Sequence, residues 1–356
     1  MAVTTRPINR TSAPAEDHLA PDEPATTVRG WRRFVSHQSE PPAAPTPEEL
    51  AGVSPRARAD QARKDYHSDL PLAATPTMRK LMTTGRLLIQ LNRGQISARR
   101  GIILSGASGT GKTTALTQLG RTHERAVRKR HGTAGDGRIP VAYVTVPTAA
   151  TPKILAVEFA RFYGLDLGAR ATMPDIVNTV CAVAARTHLE LVLVDEIHNI
   201  ALGTRTGAEV ADQLKYFAER LPATFAYAGI EVQERGLFAG PRGRQIAGRF
   251  TLIDSPPFDH GTAEQRTAWR ALIATLEQSL RLREHQPGTL VDLAEYLYQR
   301  TGGMIGSLSQ LIRGAAVIAI DEHTEAITPE LLDLIPLDHA ATHTAPTRRR
   351  TGRGTR

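Results

Sequence analysis

Five short apolar runs punctuate the middle of the chain: Gly101–Ser105, Val141–Val146, Leu191–Val194, Thr224–Ala228 and Phe250–Ile253. Their apolar character is nearly continuous rather than alternating, which is how buried strands of a parallel sheet read. Between them the apolar residues recur every three or four positions, the helical spacing. Met78 to Leu91 predicts a helix ahead of the first strand, and Leu116, Leu119, His123 and Val127 share one face of the next. Thr151-Pro152 supplies an N-cap and a first-turn proline for a helix whose buried stripe is Leu155, Phe159 and Phe162. Pro174 opens another with Ile176, Val177, Val180 and Cys181, and Val210, Leu214, Phe217 and Leu221 mark a fourth. Strands alternating with helices predict an α/β core, a five-stranded parallel sheet with helices on both faces. From about Thr262 the strand pattern stops, and helices at 262–283, 289–300, 304–321 and 328–334 predict a separate C-terminal α-helical lid.

The two ends read differently. Residues 1–60 hold nine of the 23 prolines and only two aromatics, Trp31 and Phe34. So little apolar surface cannot offset the entropy of ordering, so 1–65 is expected to be a disordered Pro-rich arm, with Trp31-Arg-Arg-Phe34 as a docking motif for a partner. The expected units are then 66–258 for the nucleotide-binding core, 259–338 for the lid and 339–356 for a disordered Arg-rich tail. The formal net charge is +8, but Arg348, Arg349, Arg350, Arg353 and Arg356 supply five of it and residues 1–65 net to zero. About +3 is left for the body, a weak pointer to a dedicated nucleic-acid surface. Cys181 is the only cysteine, which excludes an internal disulfide framework and fits a packing role in a reducing compartment. No apolar run reaches membrane-span length and the N-terminus has no secretory pattern, so a cytoplasmic protein without membrane contact is expected.

Gly106-Ala107-Ser108-Gly109-Thr110-Gly111-Lys112-Thr113 sits between the first strand and its helix. This is the G-x-x-x-x-G-K-T pattern of a P-loop. Its glycines allow a tight turn whose amide N–H groups face inward on a phosphate, and the helix that follows adds free donors and the positive end of its dipole. Lys112 is placed to reach the β- and γ-phosphates of ATP, Thr113 to ligate Mg²⁺, and Thr114 completes the set of phosphate-binding residues. Asp195 and Glu196 close the third strand, where ligands of open α/β sheets gather. Asp195 is expected to hold Mg²⁺ and Glu196 to polarise the attacking water. His198 and Asn199 follow, either to sense the γ-phosphate or contact the next subunit, or as loop residues without an assigned task. No Cys/His metal cluster and no G-x-S-x-G element is present, so hydrolysis of a nucleotide is the only reaction with support.

These stretches, with Tyr143-Val-Thr-Val-Pro147, Thr151-Pro-Lys153, Gln245 to Phe250 and Thr301-Gly-Gly-Met-Ile-Gly-Ser-Leu308, resemble the AAA+ ATPases of transposition, the TniB/TnsC family. The resemblance spans about Tyr66 to Pro336. It implies an ATPase that forms a homo-oligomeric ring or filament on double-stranded DNA, without sequence preference. It also implies recruitment of a DDE transposase and disassembly on hydrolysis coupled to a target-selection partner. Matched by position, Arg249 is the finger that reaches a neighbour's γ-phosphate, with Arg242 and Arg244 as competitors; such an arginine raises rate by roughly 10³–10⁵. Thr148 and Lys153, after the second strand, are the matching DNA-tracking positions. Two departures stand out: the fourth strand ends in Ala228-Gly229-Ile230 without a polar sensor, and Ser307 stands where relatives of the origin-recognition type place an arginine. Slow turnover is therefore expected, with ATP as the assembly switch. The competing expectations are an adaptor that never turns its nucleotide over and a helicase-loader or initiator ATPase.

Overall fold

In the computed structural model the described residues are 23–38, 40–42, 53–132, 137–168, 170–200, 204–232 and 248–337. Five parallel strands, β1 (Gly101–Ser105), β2 (Val141–Thr145), β3 (Leu191–Asp195), β4 (Thr224–Gly229) and β5 (Phe250–Asp254), lie in the order β2-β3-β4-β1-β5. The four strands up to β4 are buried almost throughout, as their unbroken apolar runs require, whereas β5 is half-exposed at the edge. The helices of the core are α3 (Pro76–Asn92), α4 (Lys112–His131), α5 (Pro152–Phe162), α6 (Met173–Arg186) and α7 (Arg205–Arg220). The alternation of side chains across the sheet sorts them. A Cβ at Gly120 of α4 would meet Leu193, and one at Gly85 of α3 would meet Leu119, so α3 and α4 lie together on the Leu193 face. Leu214 and Ala218 of α7 line a space with Tyr227, which points the other way because its neighbour Ala226 is the one paired with Leu193. Phe217 of α7 stacks on Phe159 of α5 at 4.4 Å, so these helices share the second face.

The lid has its own core. It comprises α8 (Ala263–Glu277), the single turn α9 (Thr289–Asp292), α10 (Ala294–Thr301), α11 (Ile305–Asp321) and α12 (Pro329–Leu334), packed around Trp269, Leu290, Leu297, Leu308 and Ile312. No single helix among the described residues is long and apolar enough to cross a membrane.

The expectation of a disordered arm over 1–65 is overturned for its described part. Helix α1 (Val28–Ser36) is capped by Thr27 and buries Trp31 completely in the main core. Trp31 stands 5.8 Å from Tyr143, and its Nε1 donates to Glu124 at 2.5 Å; the glycine at 120 makes room for the indole. The Trp31–Phe34 island is therefore an anchor to its own chain. Composition averaged over the whole stretch hid nine residues whose few apolar side chains fall on one helical face. Helix α2 (Val53–Ser68) belongs to the lid: Tyr66, Leu70 and Ala73 join the lid core. Arg63 bridges the carboxylate of Asp60 at 2.5 Å and that of Glu325 at 2.6 Å and 2.7 Å, all three nearly buried. The boundary expected at residue 66 thus shifts, since the chain runs from core to lid, back to the core and into the lid again. A strand-and-helix pattern read along the sequence cannot see that fold-back, because α2 is held by paired charges rather than by an apolar stripe.

Candidate functional site

The carboxyl ends of β1, β3 and β4 converge at one edge of the sheet, with β4 between the other two. Residues Gly106–Gly111 leave β1 there and wrap onto the first turn of α4. Gly109 and Gly111 have φ of 79° and 84°, left-handed values that only glycine takes without strain. Gly111 is the N-cap of α4 and offers no side-chain cap, so the first-turn amides of Lys112, Thr113 and Thr114 keep their donor capacity toward the loop. Lys112 is buried and its Nζ donates to the carbonyl of Ala107 at 2.6 Å, as does the Thr110 hydroxyl at 2.9 Å. Burial pushes the Lys112 pKa down, and the carboxylates of Asp195, Glu196 and Glu231 oppose the shift. Ser108 and Thr113 face solvent.

Asp195 is 3 % exposed and held from two sides. Its Oδ1 accepts the Glu196 amide at 2.8 Å and its Oδ2 accepts the Tyr143 hydroxyl of β2 at 3.3 Å. Burial and the Asp195 charge both raise the Tyr143 pKa, so the phenol stays a donor. Glu196 takes a left-handed conformation with φ of 57°, unusual for a residue with a side chain, and this turns the carboxylate out of the strand. The oxygens of Thr113 and Asp195 are hard donors, few in number, as suits Mg²⁺ held mostly by water and phosphate. Among the described residues no cluster of three or more His, Cys, Asp or Glu forms a self-sufficient metal cage.

Three features were not legible beforehand. His198 lies 3.2 Å from Glu196, while its Nδ1 faces the Ile230 amide at 3.4 Å, so it bridges the Glu196 carboxylate to the end of β4. The absence of a polar side chain at Gly229, the last residue of β4, has a steric cause: a Cβ there would come within 2.6 Å of Ile197. Glu231, at φ of 47°, adds a third carboxylate to the field at Lys112. Its partnership with the lysine depends on the strand order and carries no sequence signature.

The lid closes directly over this loop. The Gly306 amide donates to the Gly109 carbonyl at 2.9 Å, and the Phe258 amide donates to Gly303 at 2.9 Å. Beside the loop a cavity of about 210 Å³ opens between Leu70, Pro71, Thr75, Thr114, Ser309 and Arg313. Ser307 is wholly buried, and Arg313 is the lid arginine that faces the cavity.

Arg249 stands elsewhere. It precedes β5, and Gly101 pairs with Phe250 while Ser105 pairs with Asp254, so Arg249 lies at the opposite end of the sheet from Gly106. Five residues of strand, Gly101–Ser105, lie between the two levels, six steps or about 20 Å at the usual rise. Its carbonyl accepts the Gly101 amide at 3.0 Å and its guanidinium sits 3.6 Å from Glu219, half-exposed. It cannot serve the phosphate loop of its own chain. Arg242 and Arg244 lie outside the described residues. Thr148 and Lys153 are both exposed at the carboxyl edge, flanking the start of α5.

Residues 95–235 match the family described as AAA domain. No curated protein matches the chain. Among solved structures it resembles the Aeropyrum pernix ORC1 protein in complex with DNA, at 18% identity and a TM-score of 0.54 over 78% of this chain and 67% of that one. The Aeropyrum pernix ORC2 protein in its ADPNP-ADP complexes is also similar, at 18% identity and a TM-score of 0.55 over 72% and 68%. Cdc6p from Pyrobaculum aerophilum gives 18% and 0.50 over 74% and 67%. The chain has the AAA+ P-loop fold, a five-stranded parallel sheet flanked by helices.

Proposed function

We propose that the chain is an ATP-dependent regulator of DNA transposition. In this reading it assembles as a homo-oligomer on double-stranded DNA, selects the target and recruits a DDE transposase, and slow hydrolysis of ATP to ADP and phosphate releases the assembly. The observation that carries the assembly half is the split of the site. The phosphate loop lies at one end of the sheet and Arg249 at the other, so Arg249 reaches a γ-phosphate only in a second copy. Gly106 to Thr114 hold the phosphates, and the cavity at Leu70, Thr114 and Arg313 takes the base. Thr113 and Asp195 would hold Mg²⁺, which when bound would supply positive charge to the phosphates. Glu196, turned out of its strand, orients the attacking water, and His198 couples its position to the end of β4.

The transposition half rests on the likeness of Leu193–Asn199 and Thr301–Leu308 to the TniB/TnsC family, and DNA contact on exposed Thr148 and Lys153. The fold likeness to an ORC1 protein seen with DNA is in keeping with a DNA-linked switch, and an initiator-type role is the neighbouring reading. An adaptor without turnover draws on Gly229, which leaves no polar side chain at the end of β4. Electron microscopy of the chain with Mg²⁺, a duplex and a non-hydrolysable ATP analogue distinguishes these. Ordered oligomers that capture a DDE transposase support the proposal, and monomers under every condition refute it.

A further inference from the structure

The sheet divides the charge of this molecule. Residues 79–138 hold 13 Lys/Arg and two Asp/Glu, a net of +11 that exceeds the whole chain's +8. Folding gathers much of that segment on one face. Helices α1, α3 and α4 carry twelve Lys/Arg and a single carboxylate, Glu124. On the other side α5, α6 and α7 carry six Lys/Arg and five Asp/Glu. Glu124 contributes no negative surface, being 1 % exposed and bonded to Trp31 and Arg128.

Between α3 and α4 runs a groove of about 260 Å³. Arg86 and Arg93 stand on one wall, His123 and Arg130 on the other, with Thr83 and Thr122 as hydroxyl donors. The one acid beside it, Glu190, is occupied: Arg93 sits 3.0 Å away and His123 3.2 Å away. The His123 hydrogen bond and Arg93 bring its pKa down to about 2 against the opposing effect of burial, so it stays charged and already paired. Arg86, Lys129 and Arg130 are exposed and make no ion pair among the described residues. The apolar residues deepest in the groove, Ile89 and Leu119, are buried, and the exposed Leu87 and Leu91 of α3 lie outside its lining.

We propose that the α3–α4 groove, with Lys129 on its margin, docks the sugar-phosphate backbone of duplex DNA, and does so without nucleotide. Unpaired guanidinium and ammonium groups beside hydroxyl donors suit phosphate oxygens, and a surface free of base-reading geometry gives affinity without sequence preference. This site is separate from Thr148 and Lys153, which start α5 on the second face of the sheet, and it stands whether or not ATP-driven assembly occurs.

The test is fluorescence anisotropy of a labelled 30-base-pair duplex with the full-length chain, free of nucleotide, over a range of salt. The comparison is the triple variant Arg86→Gln/Lys129→Gln/Arg130→Gln. All three side chains are exposed, so circular dichroism and ATP binding should match the wild type. The wild type should bind with a steep salt dependence, and the triple variant should bind at least tenfold more weakly at low salt. Its log–log salt slope should be shallower by about three, roughly one per lost phosphate contact. Lys153→Gln should leave nucleotide-free binding unchanged, and loss confined to its ATP-dependent binding would report on the assembly reading alone. Equal affinity and slope for wild type and triple variant overturn the groove, as does failure of the wild type to bind the duplex. Tighter binding of polyglutamate than of the duplex also overturns it, by making the surface a protein dock.

Discussion

The backbone amide of Gly306 donates to the carbonyl of Gly109 at 2.9 Å, so the first turn of lid helix α11 rests on the phosphate-binding loop itself. A Cβ at position 306 would stand 3.0 Å from that same carbonyl. Backbone on both sides leaves little to yield, so Gly306→Val should lift the lid from the loop while both cores stay folded. ATP affinity should fall about tenfold, close to 1.4 kcal/mol. Isothermal titration alongside thermal unfolding checks this; unchanged affinity would show that the lid contact does not shape the site.

Lys112 and Glu196 should separate binding from turnover. Lys112→Ala removes the one buried cation of the loop and should abolish ATP binding. Glu196→Gln keeps size and turn but loses the charge proposed to orient water, so binding should persist while hydrolysis falls by about 100-fold or more. Filter binding and phosphate release decide it. If Glu196→Gln hydrolyses like the wild type, the catalytic carboxylate is another residue.

Trp31 lies far from the site yet should matter to stability. Replacing this fully buried indole by alanine leaves a cavity against Gly120 and Tyr143 and takes the indole donor from Glu124 Oε2, while Arg128 still holds Oε1. Trp31→Ala should cost about 3–5 kcal/mol in denaturant unfolding. A cost near zero would return α1 to the status of a dispensable arm.

Much of this fold was legible and the reasons are local. Continuous apolar runs located every strand within two residues, and Thr151-Pro152 marked the start of α5 as the side-chain cap confirms. The phosphate loop was readable because its chemistry needs contiguous residues. What escaped depends on contacts between distant residues. His198 gains its role from Ile230, Glu231 from Lys112, and α2 joins the lid through Glu325, some 260 positions on. The basic face escaped for a related reason, since charge summed over the whole body hid a segment of +11, much of which the sheet gathers on one side.

Acid should loosen the lid through His67. Its Nδ1 pairs with the Arg63 carbonyl at 2.7 Å and its Nε2 accepts the Arg281 amide at 3.0 Å, which fixes a neutral ring. Burial lowers its pKa below the ordinary 6.5, so the unfolded chain takes up a proton that the folded chain refuses. This stability is complete above 6.5 and is lost as pH falls below it. Glu325 acts in the same direction at lower pH. Burial opposes its charge, but Arg63 holds its pKa under 4.5, so its contribution is present above 4.5 and lost as pH falls through the folded value. The unfolding midpoint should drop from pH 8 to pH 5, and less steeply in His67→Gln. Identical pH profiles for the two proteins would remove His67 from the cause.

The claim on which the rest depends is that a neighbour's Arg249 completes the site. Sedimentation velocity of wild type and Arg249→Ala, each with Mg²⁺, duplex DNA and a non-hydrolysable ATP analogue, tests it most directly. Arg249→Ala should bind the analogue as tightly as the wild type yet sediment as a monomer on DNA, while the wild type runs as a large oligomer. An Arg249→Ala protein that assembles like the wild type, or a wild type that assembles equally without nucleotide, would contradict it.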